Sequence, residues 1–424
     1  MDLVNVFENK RILIWGYGRE GKSSENFIKS HCNVKSLEVY EGDITGIDED
    51  KWDMILKSPG IVMLEDRPKF TSQTEIFLNR YADQTVGITG TKGKSTTSSL
   101  MYEALKACGK DAILLGNIGK PCFDYIDEIK DDTFIVFELS CHQLCHIDKA
   151  PAYSIFLNLY PEHLDYYGTV ENYFAAKANV TTHQSRENTV LLGKNVPEIQ
   201  TLAKKRIVDN VEKCNHDFTL KIPGEHNRLN AEFVRIMAVD VLGLNEEAVI
   251  KGMCSFCGLP HRLEYVGEFE GVRYYDDSIS TIPEAAINAA KSLPNVKTLL
   301  IGGMDRGIDY SLLEEFIKER SDVNFILMYE TGKRIFEELG TEASVQEENS
   351  SANGLRNTQN VFLVKDLTEA TALAKKLGVP GTSVVMSPAA ASYGYFKNFE
   401  ERGERFKELA FSVHPYIDKS RRSN

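Results

Sequence analysis

The 424-residue sequence predicts an α/β protein of three domains, divided as 1–84, 85–257 and 258–424. Short apolar runs alternate with helical patterns along the chain, as in parallel sheets flanked by helices. Two of these runs feed glycine turns that open helices, Gly16-Tyr-Gly18-Arg-Glu-Gly21 and Gly90-Thr-Lys-Gly93-Lys94-Ser95-Thr96. A third unit starts after Gly258-Leu-Pro260, a hinge-like connector, and repeats the alternation. The length suits two or three domains, each able to bury its own core.

In the first domain, residues 11–15 read as a strand. The glycine turn after it lets backbone amides approach a diphosphate. The next strand, Ser36–Tyr40, ends at Glu41, where such folds place an acidic ribose partner. A dehydrogenase is the obvious first reading, but the fingerprint alone serves any nucleotide diphosphate. A strand over 53–56 runs into Lys57-Ser58-Pro59-Gly60. That tight turn lets Ser58 and the Gly60 amide face a ligand at the strand's carboxyl end.

The second domain opens with a strand at Val86–Ile88 and the turn Gly90–Thr96. Glycines point amides inward, Lys94 reaches outer phosphates, and a hydroxyl can hold Mg²⁺. Ile88 stands where the strict phosphate-loop pattern has its first glycine. Strands at Ala112–Leu115, Thr133–Glu138 and Tyr153–Leu157 carry Asn117, Glu138, Asn158 and His163 to one sheet edge, where ligands bind. A carboxylate and an imidazole there suit a divalent cation bridging phosphates. Read singly, Glu138 is more readily a lysine's ion-pair partner and His163 a surface histidine. Residues 170–180 read as a helix, on which Lys177 by itself reads as solvated. Gly224-Glu-His226-Asn227 opens an amphipathic helix over Asn230–Leu242 and can present Asn227 to a base or phosphate.

The third domain is read as strands at Val272–Tyr275, Thr298–Ile301, Phe325–Met328, Val361–Leu363 and Ser383–Met386, with a helix opened by Pro283. Gly302-Gly-Met-Asp-Arg306 and Ser387-Pro-Ala-Ala-Ala-Ser392 fall at strand carboxyl ends. Residues 341–358 are polar and read as a mobile surface loop.

Composition narrows the function. A net charge of −13 argues against nucleic acid as a main partner. No apolar run approaches the roughly 20 residues of a membrane span. The first ten residues lack the basic and apolar regions of a signal peptide, so a cytoplasmic location is expected. The eight cysteines read as small buried residues rather than disulfides. Cys254-x-x-Cys257 with His261 is half of a zinc pattern, and without a second pair it does not predict zinc.

The motifs taken together resemble the Mur ligases, the ATP-dependent amide-bond ligases of peptidoglycan precursor synthesis. They are Gly90–Thr96, Gly116-Asn-Ile-Gly119, Glu138-Leu-Ser-Cys-His-Gln-Leu144, Glu162-His-Leu-Asp165, Ala175-Ala-Lys177, Gly224-Glu-His-Asn227, Leu259-Pro-His-Arg262 and Asp276-Asp-Ser278. The resemblance covers nearly the whole chain. It implies a Rossmann-like UDP-binding domain, a central P-loop ATPase-like domain with a parallel sheet, and a Rossmann-like C-terminal domain. Lys57–Gly60 and 387–403 are similar to the glutamate-adding branch. The implied reaction adds D-glutamate to UDP-N-acetylmuramoyl-L-alanine through an acyl phosphate, with release of ADP and phosphate. With no dedicated dimerisation element in the sequence, a monomer is expected.

The resemblance also implies roles. Gly90, Thr91, Lys92, Gly93, Lys94, Ser95 and Thr96 hold ATP, with Asn227 on the adenine side. Arg262 and Asp277 close over ATP from the third domain. Ser95 and Glu138 hold one Mg²⁺; His163 and Lys177, carbamylated to N6-carboxylysine, hold a second. Gly16, Gly18, Arg19, Glu41, Ser58, Gly60 and Asn117 bind the UDP-substrate. Thr281, Arg306, Ser392, Tyr393 and Phe399 bind glutamate. Two positions depart from the family's usual residues: Ile279 replaces a lysine, and Arg306 stands where some members have lysine. An L-glutamate-adding ligase therefore stays open. A folylpolyglutamate-type ligase is disfavoured, because it has no use for a UDP module. A non-catalytic subunit is disfavoured too, because it would not need Lys94, Glu138, His163 and Lys177.

Overall fold

A computed structural model describes residues 3–63, 65, 67–209, 219–222, 224–339, 355–356 and 360–412. The chain is carried by three sheets of four, six and seven strands.

The first sheet has the order β2-β1-β3-β4 and is parallel throughout. Its strands are β1 (Arg11–Trp15), β2 (Ser36–Tyr40), β3 (Met54–Lys57) and the short β4 (Phe70–Thr71). Helix α1 (Arg19–His31) follows β1, and α2 (Gln73–Tyr81) follows β4. Trp15 pairs in register with both Tyr40 and Lys57. The turns after β1 and β3 are thereby level at one edge.

The second sheet is also parallel, in the order β10-β9-β8-β5-β7-β6. Its strands are β5 (Thr85–Thr89), β6 (Ala112–Gly116), β7 (Phe134–Glu138), β8 (Tyr153–Phe156), β9 (Thr189–Gly193) and β10 (Lys204–Val208). Five buried residues make β5 the centre of the sheet, between β7 and β8. Helices α3 (Lys94–Ala107), α4 (Cys141–Leu144), α5 (Leu164–Tyr167), α6 (Val170–Thr182), α7 (Glu225–Arg235) and α8 (Glu246–Ser255) complete this layer. The helix expected over 230–242 starts earlier, at Glu225, and passes into a π-helical turn at Ile236–Val241.

The third sheet runs β11-β12-β17-β13-β14-β16-β15. It comprises β11 (Glu264–Phe269), β12 (Val272–Asp276), β13 (Val296–Ile301), β14 (Asn324–Met328), β15 (Leu355–Arg356), β16 (Val361–Val364) and β17 (Ser383–Met386). The edge strands β11 and β15 are antiparallel, so this sheet is mixed. Helices α9 (Pro283–Ser292), α10 (Ser311–Glu319), α11 (Tyr329–Glu338), α12 (Leu367–Leu377) and α13 (Phe399–Phe411) accompany it. Of the loop expected at 341–358, residues other than Leu355 and Arg356 lie outside the described residues.

The first two sheets belong to one compact unit, Met1–Lys221 with Glu225–Phe256. A common apolar core runs between them, in which Phe7 and Phe27 of the first segment meet Phe123 of the second. The third sheet forms a second unit, Ile222–Gly224 with Cys257–Asn424. No helix among the described residues is long and apolar enough to cross a membrane.

Candidate functional site

The first unit carries two glycine turns. Gly90 and Gly93 adopt φ of 153° and 86°, backbone angles that side chains disfavour. They let the loop from β5 turn sharply into α3, whose first residues are Lys94, Ser95 and Thr96. The loop is fixed from outside: Asn158 accepts from Lys92 N at 2.9 Å and donates to its carbonyl at 3.0 Å. Thr91 Oγ1 lies 3.1 Å from the Tyr173 hydroxyl. Lys94 Nζ bonds the loop's own carbonyls, Gly90 at 2.9 Å and Thr91 at 3.0 Å. Lys92 pairs with Glu162 at 2.7 Å.

Helix α7 reaches the same loop. A Cβ on Gly93 would lie 2.9 Å from Asn230 Oδ1, and Asn230 donates to Asn227 at 3.3 Å. Asn227 is thus held one helical turn from Asn230, which reaches Gly93 of the loop after β5.

Around the loop stand the expected metal ligands. Ile88 pairs in register with Glu138, which puts that carboxylate at the end of β7 beside the glycine turn. Glu138 is buried; Oε1 accepts from Asn117 Nδ2 at 2.8 Å. Its Oε2 is buried with no hydrogen-bond partner among the described residues. A buried carboxylate oxygen without a donor costs free energy unless a cation meets it, so the site fits a divalent ion. His163 caps α5 in the left-handed region, φ 57°. Its ring lies 5.0 Å from His142 and 6.0 Å from Tyr173.

Lys177 is buried rather than solvated, with 1% of its surface exposed. Its Nζ donates to Gly90 O at 2.9 Å and lies 5.0 Å over the Tyr173 ring. Burial, with the nearby Lys94 charge, pushes the Lys177 ammonium down to about 7. A neutral amine is therefore available near neutral pH.

The other glycine turn follows β1. Gly16 has φ 90°, and Ser58 Oγ donates to its carbonyl at 2.8 Å. A Cβ on Gly21 would collide with the carbonyl oxygen of Gly16, so glycine lets α1 pack close on the turn. Gly18 caps α1, and Arg19 follows it. Arg19 arches over the Gly116–Gly119 turn, where a Cβ on Gly119 would lie 3.1 Å from its Nη1. Gly60 is open, with no atom within 4 Å of a Cβ built there, and Glu41 is exposed. The Lys57–Gly60 segment is held by Tyr166, whose hydroxyl donates to Ile61 O at 2.6 Å. Arg19, next to the first glycine turn, comes close to Gly119, and Asn117 of the same 116–119 turn bonds Glu138, which is in register with Ile88 before the second turn.

The second unit holds the remaining candidates. Asp277 is buried, and neighbours in its own unit engage both of its oxygens. Leu263 N donates to Oδ1 at 3.1 Å; Ser387 at 2.7 Å and Ser280 donate to Oδ2. Burial pushes this carboxyl up to about 6, against the downward pull of those hydrogen bonds. Asp277 therefore anchors the segment that carries the exposed Arg262. Arg306 Nη2 donates to Thr281 O at 3.2 Å. A bridge between Met304 and Ala391 sets the 302–306 loop beside Ser392. Ser392 is buried and Tyr393 exposed. Phe399 opens α13, and its carbonyl accepts from Ser278 at 2.7 Å. Arg402 was not expected at all. It is fully buried and bonds Ser278 O, Ser278 Oγ and Ala390 O.

His261 joins Glu264 and Asp276 in a cluster whose ligand atoms lie within 4.8 Å of one another. It bonds Asp276 at 2.7 Å.

Residues 88–219 match the Mur ligase middle domain. The UDP-N-acetylmuramoylalanine–D-glutamate ligase of Aquifex aeolicus is 30% identical, over 94% of this chain and 98% of that protein. A UDP-N-acetylmuramoyl-L-alanine–L-glutamate ligase of Xanthomonas axonopodis pv. citri is 28% identical over 96% of each chain. Among solved structures, the UDP-N-acetylmuramate–alanine ligase of Thermotoga maritima matches in fold, with a TM-score of 0.55 at 19% identity, over 94% of this chain and 99% of that one.

Proposed function

The chain belongs to the Mur ligase family, and from that premise we propose that it joins D-glutamate to UDP-N-acetylmuramoyl-L-alanine in peptidoglycan precursor synthesis. It is an ATP-dependent ligase. The observation that carries the proposal is the presence of two nucleotide-type glycine turns in one unit, with Arg19, Asn117 and Glu138 lying between them. A dehydrogenase uses one such turn; a ligase that activates a UDP-linked carboxylate with ATP uses both.

In this reading the turn after β1 holds the UDP diphosphate on the amides of Gly16 and Gly18, with Arg19, Ser58, Gly60, Glu41 and Asn117 around it. The loop Gly90–Thr96 holds the ATP phosphates. The substrate carboxylate attacks the γ-phosphorus of ATP, giving an acyl phosphate and ADP. The amine of glutamate then attacks the acyl carbon, loses a proton and displaces phosphate. Phosphoryl transfer between anions depends on placement and charge neutralisation. Lys94 supplies a cation on a short tether. Ser95 and Glu138 would hold one Mg²⁺, and His163 with a carbamylated Lys177 a second. Bound Mg²⁺ supplies charge neutralisation on the phosphates. Carbamylation would add CO₂ to the neutral Nζ amine of Lys177 with loss of one proton, so that, counting the proton already shed by the ammonium, an anion replaces a buried cation. Asn227 would face the adenine side. Arg262, on the segment that Asp277 anchors, would supply a cation to the ATP phosphates. Thr281, Arg306, Ser392, Tyr393 and Phe399 would bind glutamate, Arg306 supplying the cation that Ile279 cannot.

The relative from Aquifex aeolicus supports D-glutamate, while Ile279 and the Xanthomonas relative keep L-glutamate as the second reading. Phosphate release is measured with ATP, Mg²⁺ and UDP-N-acetylmuramoyl-L-alanine, adding D- or L-glutamate separately. Release with D-glutamate is expected. Release with L-glutamate alone overturns the stereochemistry, and release with neither overturns the acceptor.

A further inference from the structure

Beneath the first glycine turn lie two ionisable side chains that the proposed reaction does not use. Glu20 occupies the first turn of α1, directly after the residues read as binding a diphosphate. An ionised carboxylate there opposes the attraction that a helix start offers to phosphate. The side chain points inward. Its Oε1 accepts from Gln143 Nε2 at 2.7 Å, and its Oε2 is buried without a partner among the described residues. Glu20, Ser24, Lys57, Ser58 and Gln73 line a small pocket with room for about one water. Lys57 is buried; its Nζ donates to the carbonyls of Ser58 at 3.3 Å and Ile61 at 2.9 Å.

The contact to Gln143 continues toward the metal ligand. Gln143 Oε1 accepts from Ser140 N at 3.0 Å and Ser140 Oγ at 3.1 Å. Ser140 lies two residues beyond Glu138. A continuous hydrogen-bonded path thus connects the diphosphate turn to the strand end that carries the metal carboxylate.

We propose that Glu20 is a positioning residue for the UDP-substrate and takes up a proton from solvent when the diphosphate binds. The inference rests on the reading that the turn after β1 holds that diphosphate. Two bound phosphates within a helical turn raise the cost of a second buried anion, and protonating Glu20 removes that anion while keeping the acceptor toward Gln143. The neighbouring groups leave Glu20 as the one poised near neutral pH. Burial pushes its carboxyl up to about 7, against the opposing pull of Gln143 and Lys57. Burial pushes Lys57 down to about 8, while Cys145 and Glu20 pull it up. The Cys122 thiol beside them is pushed well up by burial and stays neutral. Gln73 and Gln143 carry no charge.

The test is calorimetric titration of the full chain with UDP-N-acetylmuramoyl-L-alanine, from about pH 6 to about pH 8.5, in buffers of different ionisation enthalpy. The wild type is expected to take up a fraction of a proton near pH 7.5 and to lose roughly three- to tenfold in affinity across the window. Glu20→Gln, which keeps the acceptor toward Gln143, should retain binding and lose both the uptake and the slope up to about pH 8. Glu20→Ala should bind several-fold more weakly at every pH. Binding by the wild type without proton uptake, or an unchanged uptake in Glu20→Gln, overturns the inference alone. Failure of the wild type to bind overturns the diphosphate reading and the inference with it.

Discussion

Lys177 shows how far a single residue can be read before folding. On its own helix it resembles any solvated lysine, because the alanines around it do not reveal which face is covered. In the fold it is covered by Tyr173 and the carbonyl of Gly90. Lys177→Ala is expected to lower ligase activity by at least about 100-fold. After CO₂ depletion, bicarbonate should restore the wild type and not the variant. Full activity of the alanine variant would exclude a carbamate. Glu20 makes a prediction about stability. Its carboxyl is raised from 4.5 to about 7 in the folded chain. The folded state therefore binds more protons than the unfolded state between those values, and the Glu20 contribution falls as pH rises through 7. Urea denaturation should find Glu20→Gln gaining on the wild type from about pH 5 to about pH 8, by up to about 2–3 kcal/mol. A difference that stays constant with pH would contradict this.

At the scale of elements, legibility followed burial for most strands. Strands β1, β5, β7, β14 and β17 are continuous apolar runs between turn residues, and sequence located each of them within about two residues. Strands β10 and β11 were missed because exposed, charged residues interrupt their apolar pattern, and the short β9 was missed although it is an apolar, mostly buried run. The motifs placed Lys94, Glu138 and His163 on one rim because strands of a parallel sheet share a carboxyl edge. They could not reveal Asn158 gripping the phosphate loop, Asn117 bonding Glu138, or Gln143 meeting Glu20. Those contacts join residues far apart in sequence through side chains that no local pattern marks. The close packing of α1 on its glycine turn makes a further prediction. Gly21→Ala places a methyl against the carbonyl of Gly16 and is expected to cost about 1–3 kcal/mol. It should also weaken UDP-substrate binding. An unchanged urea midpoint together with unchanged binding would show that the turn has slack.

At the scale of the whole molecule, three α/β domains were expected, two of them with glycine turns, and three sheets are present among the described residues. Two of them share one core, which the spacing of motifs could not disclose, because Phe7, Phe27 and Phe123 come from segments about a hundred residues apart. The outermost strand of the second sheet bears on how copies of the protein meet. β10 presents Lys204, Lys205, Arg206 and Ile207 to solvent at the end of a parallel sheet. A bare strand edge is a template for another chain's backbone, and lysines on it make such pairing electrostatically unfavourable. Replacing Lys204 and Lys205 by valine is expected to leave the fold intact while light scattering rises with protein concentration. Unaltered scattering would show that the edge is protected in another way. If scattering rises as expected, the edge strand of the second sheet sets the concentration at which the enzyme stays dispersed.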